Sequence, residues 1–364
     1  MRLSEVWAWP AVSGSDAAAM TWCLGVESSC DDTAVALLAD GRQVVAEAIA
    51  SQADDFAAWG GVVPELAARG HIAALPGLFD RVLTQAGISV HDLDVVAVGA
   101  WPGLIGSLLS GVTASKMLAA RSGAALVAVD HIQAHLAAVE IDRDAVTYPC
   151  IGLVASGGHS HLYRCDAPGQ ATLLGGTIDD AAGEAFDKTA AMLGLPYPGG
   201  PVIDRLAAQG DPRRFPLPRS FRRDDTLRFS FAGVKTALLY QVRGPKGTDP
   251  LTLDAQGIAD ACASFQAAVV DQLVGKLVLA AEQAGIPRLV LGGGVACNRG
   301  LRAAVQAAAA ERGWQALIPE PRHCTDNGAM IAVLGHHRWQ AGLIDGLDFQ
   351  PLPTGTAGPR SIKS

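Results

Sequence analysis

Two histidines four residues apart carry the sharpest chemical signal in the sequence. His131 and His135 stand in the segment VDHIQAHLAAV, and on a helix this spacing places both imidazoles on one face, where they can share a metal ion. A pair of structural histidines has the same spacing, so both interpretations remain open. A zinc peptidase is disfavoured, because the HExxH motif needs a Glu directly after the first His, and this sequence has Ile132 there.

A carboxylate far along the chain is the candidate third ligand. Asp326 lies in PRHCTDNGAMIA, ahead of a predicted helix that starts among small residues. The same position is typical of a carboxylate that caps a helix N-terminus, next to Asn327 and Gly328. Two imidazoles and one carboxylate with open coordination positions suit Fe(II), Zn(II) or Mn(II), and the sequence does not choose among these metals.

Two glycine-containing segments could bind an anion through backbone N–H groups. SGGHSH follows a predicted strand, and LGGGVACNRG leads from a strand into a helix N-terminus. A hairpin without a ligand would use Gly157 and Gly158 in the same way. Neither segment matches GxxxxGK[ST] or GxGxxG, so a P-loop NTPase and a Rossmann dinucleotide site are disfavoured.

Acidic side chains occur in two further motifs. ESSCDDT, which begins at Glu27, places carboxyl and hydroxyl groups at the predicted turn between the first two strands. GEAFDKTAAMLGLPYPGGP joins Asp187 to a Pro-Gly-Gly turn. A carboxylate such as Asp187 can accept hydrogen bonds from ribose or substrate hydroxyls. A polar hairpin tip and a solvated helix face would carry the same residue types.

The elements that must position these residues indicate an α/β fold with duplicated lobes. Three predicted strands follow Thr21, and helices and strands then alternate up to a helix that starts at His131. A second strand-turn-strand unit starts at PCIGLVASGGHSHLYRC, although no exact sequence repeat accompanies it. The expected divisions are a disordered or misassigned extension at 1–20, an N-terminal lobe at 21–130, a C-terminal lobe with the metal and nucleotide site at 131–340, and a tail at 341–364.

Composition limits the function classes. The 364 residues are 49% hydrophobic, enough for two lobes. The seven cysteines are scattered without CxxC spacing, which disfavours a disulfide framework or a thiolate zinc site and favours the reducing cytoplasm. No apolar run is long enough to span a membrane. The net charge of -8 argues against a general grip on nucleic acid, so RNA contact is expected to be local or shared with a partner.

One segment departs from the acidic average. Residues 210–248 have little periodicity, which predicts an extended loop or insertion and a surface for a large partner. Between Pro212 and Lys235, seven basic residues stand against Asp224 and Asp225, a composition that suits either phosphate contact or a solvated loop with local ion pairs. The basic residues are Arg213, Arg214, Arg219, Arg222, Arg223, Arg228 and Lys235.

Eight motifs occur in an order that resembles a single family. They run from about Cys23 to about Gly335, and their combination is far more specific than any one of them. The family is that of the universal tRNA threonylcarbamoyladenosine transferases, once classified as glycoprotein endopeptidases. The motifs are VESSCDDTAVAL, GGVVPELAARGHI, DHIQAHL, GLVASGGHSHL, DDAAGEAFDKTAAMLGLPYPGGP, FSFAGVKTA, LVLGGGVACNRGLR and CTDNGAMIA.

This resemblance implies a two-lobed fold of the actin, sugar-kinase and heat-shock-chaperone class, with an adenylate in the cleft between lobes. It implies a catalytic metal, Fe(II) first and Zn(II) second, on His131, His135 and Asp326. The donor would be threonylcarbamoyl-AMP, and the acceptor the N6 amino group of the adenosine next to the anticodon in tRNAs that read ANN codons. The implied substrate contacts are Val154, Ala155, Ser156, Gly157, Gly158, Asp187, Gly200, Asp204 and Asn298.

The family also implies partners, namely a paralogous actin-like subunit and a small ATPase in addition to tRNA. The sequence departs from the family pattern at Asp32, where Glu is usual, at Trp59, where Tyr is usual, at Ala232, where Ser is common, and at Cys297 beside the second glycine segment. Two rival functions are an ATP-dependent small-molecule kinase or carbamoyltransferase on the same fold and a non-catalytic nucleotide-binding scaffold of the actin or chaperone kind.

Overall fold

The structure is a computed structural model that describes residues 2–3, 20–56, 61–221 and 224–354. The chain forms two compact units. The first contains Met1–Val146, Ala167–Gln170 and Thr325–Ser364, and the second contains Thr147–Asp166 and Ala171–Cys324. These units differ from the expected division between residues 130 and 131, because both the helix that starts at His131 and the last helix of the chain pack on the first sheet.

The regular elements are named here in chain order. The first part of the chain contains β1 (Arg2–Leu3), β2 (Trp22–Glu27), β3 (Asp32–Ala39), β4 (Gln43–Ser51), α1 (Ala53–Phe56), α2 (Pro64–Ala86), β5 (Val95–Trp101), α3 (Ile105–Ser122), β6 (Ala125–Asp130) and α4 (His131–Ala137). The remainder contains β7 (Cys150–Ala155), β8 (Ser160–Ala167), β9 (Gln170–Gly176), α5 (Ala182–Met192), α6 (Gly199–Ala207), α7 (Ala232–Arg243), α8 (Ala255–Ala284), β10 (Arg288–Gly292), α9 (Arg299–Arg312), β11 (Gln315–Leu317) and α10 (Gly328–Gln340).

The first unit is built on a six-stranded sheet in the order β1-β4-β3-β2-β5-β6. β2, β3 and β4 are antiparallel neighbours, whereas β5 runs parallel to β2 and β6 parallel to β5. Because side chains alternate along a strand, Leu24 of β2 joins a core with Leu78 of α2 and Val112 of α3. Cys23 joins a separate core with residues of α4 and α10. Helices therefore cover both faces of the sheet.

The second unit repeats the strand order of the first. Its sheet runs β11-β10-β7-β8-β9. When the short β1 is left out of the first sheet, each sheet has five strands, and their positions along the chain give the same spatial order: third, second, first, fourth, fifth. β8 is antiparallel to β7, and β10 is parallel to it, as in the first sheet. This shared topology confirms the predicted duplication of lobes.

Helix α8 is the core helix of the second unit. Its residues Phe265, Leu273 and Leu277 are completely buried in one cluster with Phe186 of α5. Among the described residues it is the one helix whose length and hydropathy would suit a membrane span, yet 67% of its most apolar window is buried inside the protein. The core therefore accounts for its apolar sequence.

One sequence expectation about this unit is wrong in part. The segment 210–248 was expected to be an extended loop, but it contains the 12-residue helix α7. Val234, Leu238 and Val242 are buried at four-residue spacing along α7, which anchors the helix to the core. The density of proline and arginine before Ala232 obscured this short apolar stripe.

The ends of the chain also meet the first unit. Arg2–Leu3 pairs with the end of β4. Within the expected extension at 1–20, residues 1 and 4–19 lie outside the described residues. In the tail, backbone N–H groups of Asp345, Leu352 and Thr354 donate to carbonyls of the first unit. Residues 355–364 lie outside the described part.

Helix α10 approaches the first sheet at backbone distance. A Cβ built on Gly25 of β2 would lie 2.1 Å from the carbonyl oxygen of Gly328 and 2.5 Å from the amide nitrogen of Ala332. A Cβ on Gly328 would in turn lie 2.5 Å from the amide nitrogen of Ala36. Only glycine permits this contact, and the contact holds the residues just before α10 against the carboxyl end of β2.

Replacing Gly25 by alanine should therefore lower the free energy of unfolding by about 2–4 kcal/mol, because the added methyl group forces α10 off the sheet. Chemical denaturation of the two proteins measures this change. Gly77→Ala is the matched control: Gly77 lies in α2 with open space around its Cβ position, so this change should raise stability by about 0.5–1 kcal/mol. Equal effects of the two substitutions would contradict the packing argument.

Candidate metal centre and glycine loops

The paired histidines lie where β6 passes directly into α4. Asp130 caps this helix by accepting hydrogen bonds from the backbone N–H groups of Ile132 at 2.8 Å and Gln133 at 3.0 Å. His131 is thus the first residue of the helix and His135 follows one turn later. Both side chains are buried, and their ring centroids are 4.8 Å apart.

Asp326 joins the two imidazoles. Its Oδ1 lies 3.2 Å from Nε2 of His135 and 3.7 Å from Nε2 of His131. One potential ligand atom from each of the three residues lies within 4.8 Å of the others. The alternative interpretation of Asp326 as a helix cap is wrong, because Asn327 caps α10 by accepting a hydrogen bond from the backbone N–H of Met330.

A second carboxylate orients His131 from the opposite side. Nδ1 of His131 lies 2.9 Å from Oε2 of the fully buried Glu27 and 3.2 Å from Oγ of Ser29. Since a carboxylate only accepts, Nδ1 carries the hydrogen in this pair, and Nε2 is the ring nitrogen on the side of Asp326. This carboxylate–imidazole pairing is the one that fixes histidine ligands in metal sites.

The electrostatics of the cluster favour a cation. Burial lowers the pKa of His131, but the carboxylates of Glu27 and Asp326 outweigh burial and raise that pKa to about 10. Both ring nitrogens of His135 are buried and make no hydrogen bond among the described residues. These buried nitrogens lie next to the carboxylates of Glu27 and Asp326, and both kinds of group are ligands for a divalent metal ion. Such an ion would supply positive charge beside the two carboxylates.

The turn between β2 and β3 adds further acidic groups. His71 of α2 secures this turn: Nε2 donates to the carbonyl oxygen of Cys30 at 3.0 Å, and Nδ1 accepts from Oγ1 of Thr33 at 2.7 Å. Asp32 follows, with Oδ1 buried and without a hydrogen-bond partner among the described residues. Burial is the main cause that raises the pKa of Asp32 to about 7; the carboxylates of Asp326 and Asp31 act in the same direction, and a hydrogen bond from Ser51 acts in the opposite direction.

The first glycine segment lies within the second unit at the end of β7. The loop Val154–Gly158 closes when the backbone N–H of Ser156 donates to the carbonyl of His159 at 2.8 Å. The Cβ positions of Gly157 and Gly158 are open. A Cβ on Gly293 of the other glycine segment would lie 2.4 Å from the carbonyl oxygen of Ala155, so the two segments touch through their backbones.

The remaining predicted contacts form two groups in the same unit. Asp187 accepts hydrogen bonds from the backbone N–H groups of Gly199, at 2.7 Å, and Gly200, and burial raises the pKa of this carboxyl group. Asp187 thereby shapes the Pro-Gly-Gly turn.

Asp204 and Asn298 meet through the residue that follows Asn298. Nε of Arg299 donates to Oδ2 of Asp204 at 2.7 Å, and the backbone N–H of Arg299 donates to Oδ1 at 3.2 Å. Asn298 caps α9 through Leu301 and donates to Oε1 of Gln266. The structure therefore connects Asp204 to Asn298, whereas the sequence separates them by more than ninety positions.

The seven basic residues between Pro212 and Lys235 have partners wherever the structure describes them. Arg213, Arg219 and Lys235 form ion pairs with Asp211, Asp271 and Asp180. Arg214 and Arg228 lie over aromatic rings. Arg222 and Arg223 lie outside the described residues. This pattern favours local ion pairing over a free phosphate-binding patch among the described members.

The sequence analysis did not identify several residues that contact the predicted site residues. Glu27 and Ser29 were assigned to a polar hairpin, not to His131, and Arg299 and Gln266 were not singled out. The local signal was the position of Glu27 at the end of β2. In the sheet, β5 alone separates β2 from β6, and His131 directly follows β6.

The duplicated sheet topology, with helices on both faces of the first sheet, defines an α/β protein of the actin-like ATPase fold class. Two solved structures share the fold at low sequence identity. A full-length HypF in its phosphate- and nucleotide-bound form matches with a TM-score of 0.55 and 14% identity, over 88% of this chain and 46% of that one. The activator of 2-hydroxyisocaproyl-CoA dehydratase from Clostridium difficile matches with a TM-score of 0.51 and 12% identity, over 88% and 97% of the two chains.

The chain belongs to the tRNA N6-adenosine threonylcarbamoyltransferase family, whose model matches residues 43–333. A relative of that name from Geobacter metallireducens is 48% identical over 90% of this chain and 95% of its own length. Another from Anaeromyxobacter dehalogenans is 48% identical over 92% and 99%. The chain is accordingly a transferase of a threonylcarbamoyl group to the N6 position of a tRNA adenosine.

The buried carboxyl group of Asp32 should reduce stability at alkaline pH. Its folded pKa of about 7 lies above the ordinary value of 3.8, so the wild-type free energy of unfolding falls as the pH rises from about 4 through about 7. In chelator-treated protein, Asp32→Asn should therefore raise stability by about 2–4 kcal/mol at pH 8 and by little at pH 4.

Urea denaturation at several pH values measures this difference. Asp348→Asn serves as the control, because Asp348 is exposed and its replacement should change stability little at any pH. A gain for Asp32→Asn that stays constant across the pH range would contradict the assignment.

Proposed function

We propose that this chain takes the threonylcarbamoyl group from threonylcarbamoyl-AMP and transfers it to the adenosine next to the anticodon in tRNAs that read ANN codons. Family membership supports the transfer to a tRNA adenosine. The observation that supports a metal-dependent form of the reaction is the convergence of His131, His135 and Asp326, together with the buried ring nitrogens of His135, which make no hydrogen bond in the described part of the chain.

His131, His135 and Asp326 would hold a divalent ion, Fe(II) first and Zn(II) second. Such an ion supplies Lewis-acid polarisation of an oxygen atom when it is bound. Glu27 fixes the imidazole of His131 through Nδ1 and keeps Nε2 available as a ligand atom. The three ligands leave coordination positions open, as a catalytic rather than a purely structural site requires.

In the second unit, the donor contacts would be made by the loop Val154–Gly158 together with Asp187, Gly200, Asp204 and Asn298. Gly157 and Gly158 are exposed and have open space at their Cβ positions, so a ligand can approach the backbone of this loop closely. Asp187 is already rigid through its hydrogen bond from Gly199, and a carboxylate in this state can still accept from a ribose hydroxyl.

The reaction forms a bond between the adenosine N6 and the carbamoyl carbon and breaks the bond between that carbon and the phosphate oxygen of AMP. N6 loses one proton, and AMP leaves with the bonding electron pair. An amino group on an aromatic ring is a weak nucleophile, so positioning of the two substrates and stabilisation of the leaving phosphate matter more than a strong base.

RNA binding is proposed to be shared with partners, namely a paralogous actin-like subunit and a small ATPase, in the cytoplasm. The net charge of -8 supports this view, since phosphate contacts require basic side chains. The described basic residues between Pro212 and Lys235 contact acidic or aromatic groups of the same chain. A complementary basic surface on a partner would supply the missing contacts.

His135→Ala should remove both bound metal and transfer. Nε2 of His135 lies 3.2 Å from Oδ1 of Asp326, so loss of this imidazole should lower transfer by at least about 100-fold while the melting temperature stays within a few degrees. The assay measures labelled threonine on purified tRNA, in the presence of the donor-forming and partner proteins, with and without a chelator.

His91→Ala is the matched control, because His91 is exposed on a turn of the first unit. This variant should retain metal and full activity. Wild-type activity in the His135→Ala protein with no loss of metal would exclude the metal proposal. Phosphorylation or carbamoylation of a small molecule, without labelled tRNA, would instead support the rival activity on the same fold.

A further inference from the structure

An arginine of the second unit lies between two of the proposed donor contacts. Arg299 is the first residue of α9 and directly follows Asn298. Its Nε donates to Oδ2 of Asp204 at 2.7 Å, and its Nη2 donates to the backbone carbonyl oxygen of Asp204 at 2.9 Å. Two hydrogen bonds from one planar group to one residue fix the orientation of the plane. The guanidinium is therefore held against α6, the helix that carries Asp204.

This fixed guanidinium remains open to solvent. The exposed fraction of the Arg299 side chain is 63%, against 14% for the side chain of Asp204. The carboxylate balances the positive charge and occupies one edge of the guanidinium, so that edge is not available to a phosphate. A guanidinium can still bind a flat ring on its face. The arrangement favours an aromatic ligand over an anionic one.

The neighbouring groups leave room for such a ring. Gly200 lies one helical turn before Asp204 on the same face of α6, and the space around its Cβ position is open. Asn298 is only 8% exposed, and both the oxygen and the nitrogen of its side-chain amide form hydrogen bonds within the second unit. The exposed side chain at the start of α9 is therefore that of Arg299.

We propose that Arg299 binds the adenine ring of the donor, threonylcarbamoyl-AMP, by stacking its guanidinium on the face of the ring. This inference rests on the proposed function, because that function places the adenylate at Gly200, Asp204 and Asn298. Asp204 has a second task in this arrangement, since it fixes the plane on which the base stacks. Stacking of this kind recognises an aromatic base and contributes nothing to the binding of the phosphate.

Substitution of Arg299 should leave the local fold intact. The backbone N–H of this residue donates to Oδ1 of Asp204 at 3.2 Å, and a change of side chain retains that hydrogen bond. Asn298 still caps α9 through the backbone N–H of Leu301. Arg299→Lys keeps the positive charge but lacks the planar group, so this variant separates stacking from charge attraction.

Isothermal titration calorimetry of the full-length protein with AMP, without tRNA, tests the assignment. Arg299→Ala should weaken AMP binding by about tenfold, as expected when a base loses its stacking partner, and Arg299→Lys should weaken it by a similar factor. Binding of ribose 5-phosphate, which has no base, should change by less than about twofold in both variants.

Arg312→Ala is the matched control on the same helix. Arg312 ends α9 and forms ion pairs with Glu282 and Glu311, so this variant should bind AMP as the wild type does. Three results would overturn the proposal. These are a wild-type AMP affinity in Arg299→Ala or Arg299→Lys, equal losses of AMP and ribose 5-phosphate affinity, and a wild-type protein that binds AMP no more tightly than ribose 5-phosphate.

Steady-state transfer assays with synthesised donor distinguish the adenine of the donor from the adenosine of the tRNA. Arg299→Ala should raise the KM for threonylcarbamoyl-AMP several-fold and leave the KM for tRNA unchanged. The opposite pattern would place the stack on the tRNA adenosine and refute the proposal. A wild-type protein that binds AMP with the expected dependence on the base, yet transfers nothing to tRNA, would refute the proposed function and leave the adenine site standing.

Discussion

The direct backbone contact between α10 and the first sheet is the constraint on which the candidate metal centre depends. Gly25 and Gly328 permit this contact because neither carries a Cβ. With α10 held there and capped by Asn327, the preceding Asp326 reaches two imidazoles that lie nearly two hundred positions earlier in the chain. Any added side-chain volume at the contact would move the carboxylate away from the histidines.

Without a balancing cation, the buried carboxyl groups of the first unit lower its stability. Glu27 is fully buried beside His131, and Asp32 has a buried oxygen without a hydrogen-bond partner among the described residues. Carboxylates gathered at one place repel each other unless a cation balances them. Sites that retain such a cost are commonly functional. Here the protonated His131 supplies positive charge in the absence of metal, and a bound metal ion would replace the Nε2 proton and supply it instead.

Local sequence patterns predicted several elements of this protein. The three strands predicted after Thr21 are β2, β3 and β4, and the helix predicted to start at His131 is α4. Helix α7 was missed because its neighbours are rich in proline and arginine. The pairing of Asp326 with His131 depends on how distant segments pack, so it came from the family resemblance and not from spacing.

Anomalous X-ray diffraction at the absorption edges of iron and zinc, on crystals of the protein as purified, tests the central claim most directly. The account predicts one strong anomalous peak within about 2.0–2.2 Å of Nε2 of His131, a ring nitrogen of His135 and a carboxylate oxygen of Asp326. A peak at another site, or an empty cluster in protein that is active on tRNA, would contradict it.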